Sequence, residues 1–284
     1  MCMNMANVDV IYVYVLHSHI HFQIYSCTYI SYRQKVGEMR ELLKPEYYIW
    51  FASFLVEKRV SSQPNLHSLY LSVLDALNYT ELFKHVLDST YYNVTKYLSS
   101  PLITTSSNER SVLRNFGVWL GQLTVARNKP LLQKRIDLKA LIFWGYETGR
   151  LIAVCAFVAK VLEGVKESKV FRPPNPWLMA ILGALCLCYS LYPIYLIHHA
   201  SHLQTYHTTY TLRHLPSTIT TNNPLPLHSP GLLKELNEVE DLKLNIKFEV
   251  QALCKNINIK IEELTKTSLL HKLRAPVKDM RNPD

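Results

Sequence analysis

Apolar residues recur at helical spacing through the middle of the chain. Leu66, Leu69, Val73, Leu74 and Leu77 follow the spacing of one face of a helix. The same period continues through residues 83–98 and stops before Pro101, with Phe83, Val86, Leu87, Thr90, Tyr91, Val94, Tyr97 and Leu98 as its members. We therefore predict two amphipathic helices in this part of the chain.

Signals for helix starts and ends define the elements that follow. Ser106 to Glu109 reads as a capping box, in which the Ser106 hydroxyl and the Glu109 carboxylate each accept a hydrogen bond from a first-turn amide. This box predicts the start of a third helix, which should end at Asn128–Lys129–Pro130. Its predicted buried face is Val112, Leu113, Phe116, Leu120 and Leu123. Asp137 is placed to cap the next helix, which carries Leu138, Leu141 and Ile142.

Two more helices complete the pattern. One follows Gly149 and ends at Gly164, and its predicted buried face is Ile152, Cys155, Val158, Ala159 and Leu162. Asn175 is a suitable N-cap and Pro176 suits the first helical position, so another helix should start at Trp177. Helices joined by short links, with no strand pattern among them, indicate an all-α fold. We predict an α-solenoid of antiparallel helix pairs, a fold that offers long surfaces rather than deep pockets.

Two stretches of low charge interrupt this pattern. Residues 184–231 contain one charged side chain, Arg213, and six of the twelve histidines. Residues 1–35 have one acidic and two basic side chains. If residues 184–231 are removed, the apolar face that starts at Trp177 continues into Leu232, Leu233, Leu236 and Val239. We therefore predict that residues 184–231 are an insert that splits one helix, either translated intron sequence or a disordered loop, and that residues 1–35 have the same origin.

Two other interpretations of these stretches stay open. Trp177 to Ile197 is a run without charge and could anchor a membrane-associated helical protein, although Pro193 lies inside it. His17, His19 and His21 would share one face of a strand and could bind a metal, but they have no acidic or cysteine partners at ligand spacing.

Composition narrows the function classes. The apolar content of 48% suffices for a core, and only eight glycines favour helices over sheets. The six cysteines form no C-x-x-C pair, which indicates a reducing compartment and neither a zinc site nor a disulfide framework. The net charge of +9 could attract nucleic acid, a membrane surface or an acidic protein.

Four motifs in order carry a resemblance to a known family. They are residues 58–70, residues 115–124 with 128–130, residues 171–177, and residues 241–250 with 253–256. Together they resemble the central domain of subunit one of the CCR-NOT transcription complex, the large scaffold of an mRNA deadenylase, whose fold is that of the middle domain of initiation factor four-G. The resemblance covers residues 36–183 and 232–271, with closing helices in the second range. Residues 1–35, the insert and a tail at 272–284 have no counterpart.

This resemblance implies a docking platform. Its partners would be the CCR-associated-factor deadenylase, which is a DEDD-type exonuclease, a Dhh-type DEAD-box RNA helicase and other CCR-NOT subunits. The chain would support poly(A) shortening, mRNA decay and translational repression by concentrating these partners. The expected location is the cytoplasm and P-bodies, with a nuclear pool as a further option.

No catalytic motif is present in the sequence. H-E-x-x-H, a glycine-rich phosphate loop and G-x-S-x-G are all absent, so we expect no enzyme activity, cofactor or metal. The candidate partner-binding residues are Arg59, Asn65, His67, Tyr70, Asn115, Lys129, Arg172, Pro173, Pro174 and Asn175. For three positions a structural role is the alternative: Asn65 and Asn175 could be caps, and His67 a solvated or hydrogen-bonded surface group.

Trp119 and the balance of charge support two further expectations. Trp119 is expected in the core because Phe116 and Leu120 accompany it. Direct RNA contact is a third and weaker functional option, since the chain outside the two low-charge stretches holds 28 basic and 21 acidic side chains.

Overall fold

A computed structural model of the chain describes residues 29–131, 134–201, 231–238 and 244–268. These ranges contain ten α-helices and no strand, which confirms the predicted all-α fold. The helices are α1 (Tyr29–Leu42), α2 (Tyr48–Phe54), α3 (His67–Leu77), α4 (Thr80–Ser99), α5 (Ser107–Leu123), α6 (Leu138–Glu147), α7 (Leu151–Leu162), α8 (Pro176–Ser201), α9 (Gly231–Asn237) and α10 (Leu244–Asn256). The π-helical segment Leu55–Val60 continues α2, and 3-10 turns cover Pro45–Tyr47, Pro64–Leu66, Pro101–Thr104, Val125–Arg127, Glu163–Lys166 and Ile261–Glu263.

The chain forms two compact units that divide between Ser89 and Thr90, within α4. In the first unit, α1 packs against α3. Val73, Leu74 and Leu77 of α3 are buried, as the apolar spacing predicted. Helix α3 ends at Leu77 and is followed by Asn78, whose left-handed backbone (φ 55°) is typical of a helix C-terminus that lacks glycine.

In the second unit, each helix packs on helices that lie one to three positions away in the chain. Helix α5 packs on α7, α7 on α6, α6 on α8, α8 on α9, and α9 on α10, which returns to α7. Packing between helices that are near one another in the chain is that of the predicted α-solenoid. Trp119 is fully buried, and its indole Nε1 donates to the Thr90 hydroxyl over 3.2 Å, which confirms its assignment to the core.

Helices α5 and α7 approach each other through glycines. A Cβ atom on Gly117 would lie 2.8 Å from the carbonyl oxygen of Phe157, and one on Gly121 would overlap the carbonyl oxygen of Val161. Because real Cβ contacts are longer than this, only glycine fits the two positions. The Asn115–Thr124 motif thus owes part of its identity to close packing between helices.

Two of the three predicted caps agree fully with the structure. The Asp137 carboxylate accepts from the amides of Lys139 (2.9 Å) and Ala140 (3.1 Å) at the start of α6. Asn175 caps α8, and Pro176 is its first residue. The Ser106 hydroxyl accepts from the Glu109 amide over 3.2 Å, but the reciprocal half of the capping box was wrong. The Ser106 amide instead donates to the carbonyl of Leu102 over 2.7 Å, so it is not available to the Glu109 carboxylate.

The predicted face of α7 was wrong at one end. Ile152 is 45% exposed, whereas the helix buries most of its other residues, including Ala153, Val154 and Phe157. Since α5, α6 and α10 all contact α7, apolar residues are needed on several sides of it, and a single stripe cannot describe the helix.

The predicted start of the insert also differs from the structure. Helix α8 continues past Gly183 to Ser201, and residues 184–188 are buried with exposures of 2% or less. Leu232, Leu233 and Leu236 lie in a separate helix, α9, which packs against α8. The absence of charge from residues 184–188 therefore reflects a helix segment buried on all sides. The origin of residues 184–231 stays a prediction, and residues 202–230 lie outside the described part.

Three other expectations concern regions outside the described ranges. These are the nature of most of residues 1–35, the histidine site at residues 17–21, and the tail at 272–284. Among the residues that the structure does describe, no helix is long and apolar enough to cross a membrane.

Candidate functional site

The candidate residues of the first unit gather around the start of α3. His67 and Tyr70 are each 1% exposed. The Nε2 atom of His67 lies 2.9 Å from the carbonyl oxygen of Val60, and the Tyr70 hydroxyl donates to the Gln63 side chain. These bonds join α3 to the turn that precedes it, so both side chains are part of the interior.

Burial also changes the chemistry of His67. Removal from water disfavours the charged imidazolium and lowers the pKa of His67 below its usual value, while the hydrogen bond to Val60 opposes part of this shift. His67 is therefore neutral at physiological pH. The structure places His67 inside the unit and hydrogen-bonded to Val60, not solvated at the surface, and its contact with a partner stays a prediction.

Two candidates of the first unit remain accessible. Asn65 is exposed within the 3-10 turn Pro64–Leu66, and α3 begins after Leu66 without a side-chain cap, so the alternative capping role for Asn65 was wrong. Arg59 is half-exposed, with its guanidinium 5.4 Å from the centre of the Phe54 ring.

Five of the six candidates of the second unit lie in one group of loops, whereas Asn115 lies within α5. Asn128 has left-handed backbone geometry (φ 60°). Its side-chain oxygen accepts three hydrogen bonds, from the Ser168 hydroxyl (3.0 Å) and from the amides of Lys169 (2.7 Å) and Val170 (3.1 Å). Two segments that are 40 residues apart in the chain are thus joined at a single side chain. We call residues 125–130 together with 166–177 the loop cluster.

Ser168 and Asn175 hold the second segment of the loop cluster in place. Ser168 is fully buried, and its hydroxyl accepts from the amides of Val170 (3.2 Å) and Phe171 (2.9 Å). The Asn175 side chain accepts from the first amides of α8 and donates to the Val170 carbonyl over 3.1 Å. Asn175 therefore has the structural role that was its alternative, and its contact with a partner stays a prediction.

Basic side chains surround this hydrogen-bonded centre. Lys129, Lys166, Lys169 and Arg172 are exposed, and Arg127 is half-exposed. Arg172 reaches the carbonyl oxygen of Lys166 at 3.5 Å. Pro174 is also exposed, and Pro173 and Asn115 are half-exposed. Neither Asn128 nor Ser168 was among the candidates predicted from the sequence. For Asn128 the available signal was its place before Lys129–Pro130 and the tolerance of asparagine for left-handed geometry. No comparable local signal marks Ser168.

The described residues offer little for catalysis. Among them, no group of three or more His, Cys, Asp or Glu side chains could hold a metal ion. Burial raises the pKa of the Cys188 and Cys254 thiols to about 12, so both stay protonated and are poor nucleophiles. What the structure presents instead is an exposed, basic and internally bonded surface on the second unit.

Comparison with known proteins gives a consistent result. The family model for the CCR4-NOT transcription complex subunit 1 CAF1-binding domain matches residues 14–198 and 219–280. The General negative regulator of transcription subunit 1 of Schizosaccharomyces pombe is 30% identical over 243 residues, which is 86% of the chain and 9% of that protein. Its namesake in Saccharomyces cerevisiae is 28% identical over 88% of the chain and 10% of its own length. The CCR4-NOT transcription complex subunit let-711 of Caenorhabditis elegans is 28% identical over 84% of the chain and 8% of its own length.

Two points follow from the extent of these matches. The chain spans about a tenth of the length of the curated relatives it matches. The matched ranges also extend beyond residues 36–183 and 232–271, the ranges of the predicted resemblance, and leave 199–218 as the internal segment without a match. Residues 184–188, which are buried in α8, thus lie within the family match.

Proposed function

Because the chain belongs to the family of the CCR4-NOT transcription complex subunit 1 CAF1-binding domain, we propose that it docks a CAF1-type deadenylase as a non-catalytic scaffold module. The family match across most of the chain is the observation that carries this proposal. The helical fold supports it, since stacked helices present extended surfaces suited to protein partners. The interior role of the buried cysteines and of His67 supports an interaction module rather than an enzyme.

We extend the proposal to the partners and cellular role that the resemblance implied. A Dhh-type DEAD-box RNA helicase and other subunits of the complex would bind the same chain, and the assembly would shorten poly(A), promote mRNA decay and repress translation. Holding these partners together raises their effective local concentration, which needs no chemistry from the scaffold. The proposed location is the cytoplasm and P-bodies, with a nuclear pool.

Co-elution tests the docking proposal. The purified chain should co-elute with the CAF1-type deadenylase in size-exclusion chromatography, and in a separate run with the helicase. The chain alone should release no nucleotides from a poly(A) substrate. Independent elution from the deadenylase would overturn the docking proposal, and independent elution from the helicase alone would remove only that partner. Nuclease activity of the chain that follows it through purification would overturn its assignment as non-catalytic.

A further inference from the structure

We propose that the loop cluster binds single-stranded RNA, with its basic side chains on the phosphates and its aromatic rings beside the bases. Its two segments contain five basic residues and one acidic residue, Glu167. Arg127 and Lys129 flank Asn128 in the chain, and the Lys169 amide lies 2.7 Å from the Asn128 side-chain oxygen. The bonds of Asn128 therefore bring basic residues from two distant segments into one exposed group.

The hydrogen bonds of the loop cluster make this group suited to a ligand. The Asn128 and Ser168 side chains are used for holding the backbone, while Lys129, Lys169 and Arg172 stay exposed. A preformed backbone lowers the entropy cost of binding, because only the side chains need to be ordered. The surface thus combines fixed loops with accessible positive charge.

Aromatic rings favour RNA over an acidic protein as the occupant. Phe171 and Trp177 are half-buried, with ring centres 5.1 Å apart, and both lie in the segment that carries Lys169 and Arg172. Proteins that bind single-stranded nucleic acid pair basic side chains for the phosphates with aromatic rings on which bases stack. An acidic segment without apolar side chains would use only the charges, whereas single-stranded RNA would use both the charges and the rings.

The test measures the binding of a labelled oligo(A) by fluorescence anisotropy over a range of salt concentrations. The triple variant Lys129→Gln, Lys169→Gln, Arg172→Gln should bind at least about 10-fold more weakly at low salt. Its slope of log affinity against log salt should become shallower by about 2, since each phosphate contact on a single strand contributes about 0.7. The control Lys96→Gln, Lys139→Gln, Lys255→Gln removes the same charge from exposed positions elsewhere in the same unit and should retain most of the affinity.

Three results would overturn the proposal. They are no binding of oligo(A) by the unmodified chain, equal losses in the two triple variants, and displacement of oligo(A) by oligo-glutamate more effectively than by unlabelled oligo(A). The first two would mean that the loop cluster is not an RNA site, and the third would assign it to an acidic protein.

A second variant tests the role of the Phe171 ring. Phe171→Leu keeps an apolar side chain but removes the aromatic face, so it should weaken oligo(A) several-fold and leave binding of inorganic polyphosphate unchanged. Equal effects on both polymers would contradict the assignment of the ring to a base. The RNA proposal does not rest on deadenylase docking, because the anisotropy measurement contains no deadenylase and its result is independent of co-elution.

Discussion

The turn before α3 and the loop cluster contain sequence motifs of the same kind but use them in opposite ways. At the start of α3, the side chains of His67 and Tyr70 are buried in the unit and hydrogen-bond to the segment just before the helix. In the loop cluster, Asn128 and Ser168 make the internal bonds, and the neighbouring Lys129, Lys169 and Arg172 stay exposed. A polar or aromatic residue in a distinctive motif can therefore belong to the interior or to a surface, and the difference depends on which residue supplies the internal hydrogen bonds.

Replacement of Tyr70 tests the interior role with the largest expected effect. Tyr70→Ala should lower the free energy of unfolding by about 3–5 kcal/mol, as for other large buried aromatic side chains. Tyr70→Phe removes only the hydroxyl that donates to Gln63 and should cost about 1 kcal/mol. Urea unfolding followed by circular dichroism measures both values. A loss below 1 kcal/mol for Tyr70→Ala would mean that the side chain is not an interior residue.

Replacement of Gly121 tests the close contact between α5 and α7. Gly121→Ala places a Cβ against the Val161 carbonyl, so we expect a loss of about 3 kcal/mol in the free energy of unfolding. Gly37→Ala is the matched control, since nothing lies within 4 Å of a Cβ there and alanine favours a helix. Thermal melts should show a lower midpoint for Gly121→Ala alone. Equal midpoints for the two variants would be evidence against close packing at Gly121.

Asn128 tests whether the loop cluster depends on one side chain. In Asn128→Gly, glycine can adopt the left-handed backbone, but all three hydrogen bonds accepted by the side chain are lost. The free energy of unfolding should fall by about 1–3 kcal/mol. Asn128→Asp keeps an acceptor and should cost less. Hydrogen exchange should show faster exchange at the Lys169 and Val170 amides in Asn128→Gly. Unchanged exchange at these amides would contradict the role given to Asn128.

The buried His67 should make the free energy of unfolding depend on pH. Its pKa is lower in the folded chain than in the unfolded chain, so below about pH 6.5 the unfolded state binds more protons than the folded state. Stability should therefore fall as the pH decreases from about 6.5 towards the pKa of the folded state, and it should gain nothing from His67 above that range. His67→Gln should reduce this dependence, whereas His85→Gln, on α4, should retain it. Identical pH profiles for the unmodified chain and His67→Gln would contradict the assignment.

The exposed lysines and arginine of the loop cluster should have the smallest effect on stability. The triple variant Lys129→Gln, Lys169→Gln, Arg172→Gln should change the free energy of unfolding by no more than about 0.5 kcal/mol per position, as usual for surface substitutions. Chemical unfolding measures this directly. A larger loss would show that these side chains hold the loops together, as Asn128 does.

Sequence patterns predicted most of the fold because the signals involved are local. The Asp137 and Asn175 caps depend on amides two or three residues away, and the α3 stripe depends on helical period alone. The patterns failed where distant segments determine the environment. The uncharged residues 184–188 were predicted to belong to an insert, because the neighbouring sequence does not show that this part of α8 is buried.

The candidate site was less predictable for the same reason. The motifs drew attention to the correct segments, but they could not separate inward residues such as His67 from outward ones such as Arg172. The bond from Ser168 to Asn128 spans 40 residues of sequence, and no periodic pattern encodes such a contact. The residues that organise the loop cluster were therefore visible only in three dimensions.

Calorimetric titration of the CAF1-type deadenylase into the full chain tests the central claim most directly. A docking module should give saturable binding with one deadenylase per chain. The variant Lys96→Gln, Lys139→Gln, Lys255→Gln should bind the deadenylase as the unmodified chain does, because these exposed lysines are not among the candidate partner-binding residues. If the folded, unmodified chain gives no saturable heat at any accessible concentration, the claim that it is a deadenylase-docking scaffold is wrong.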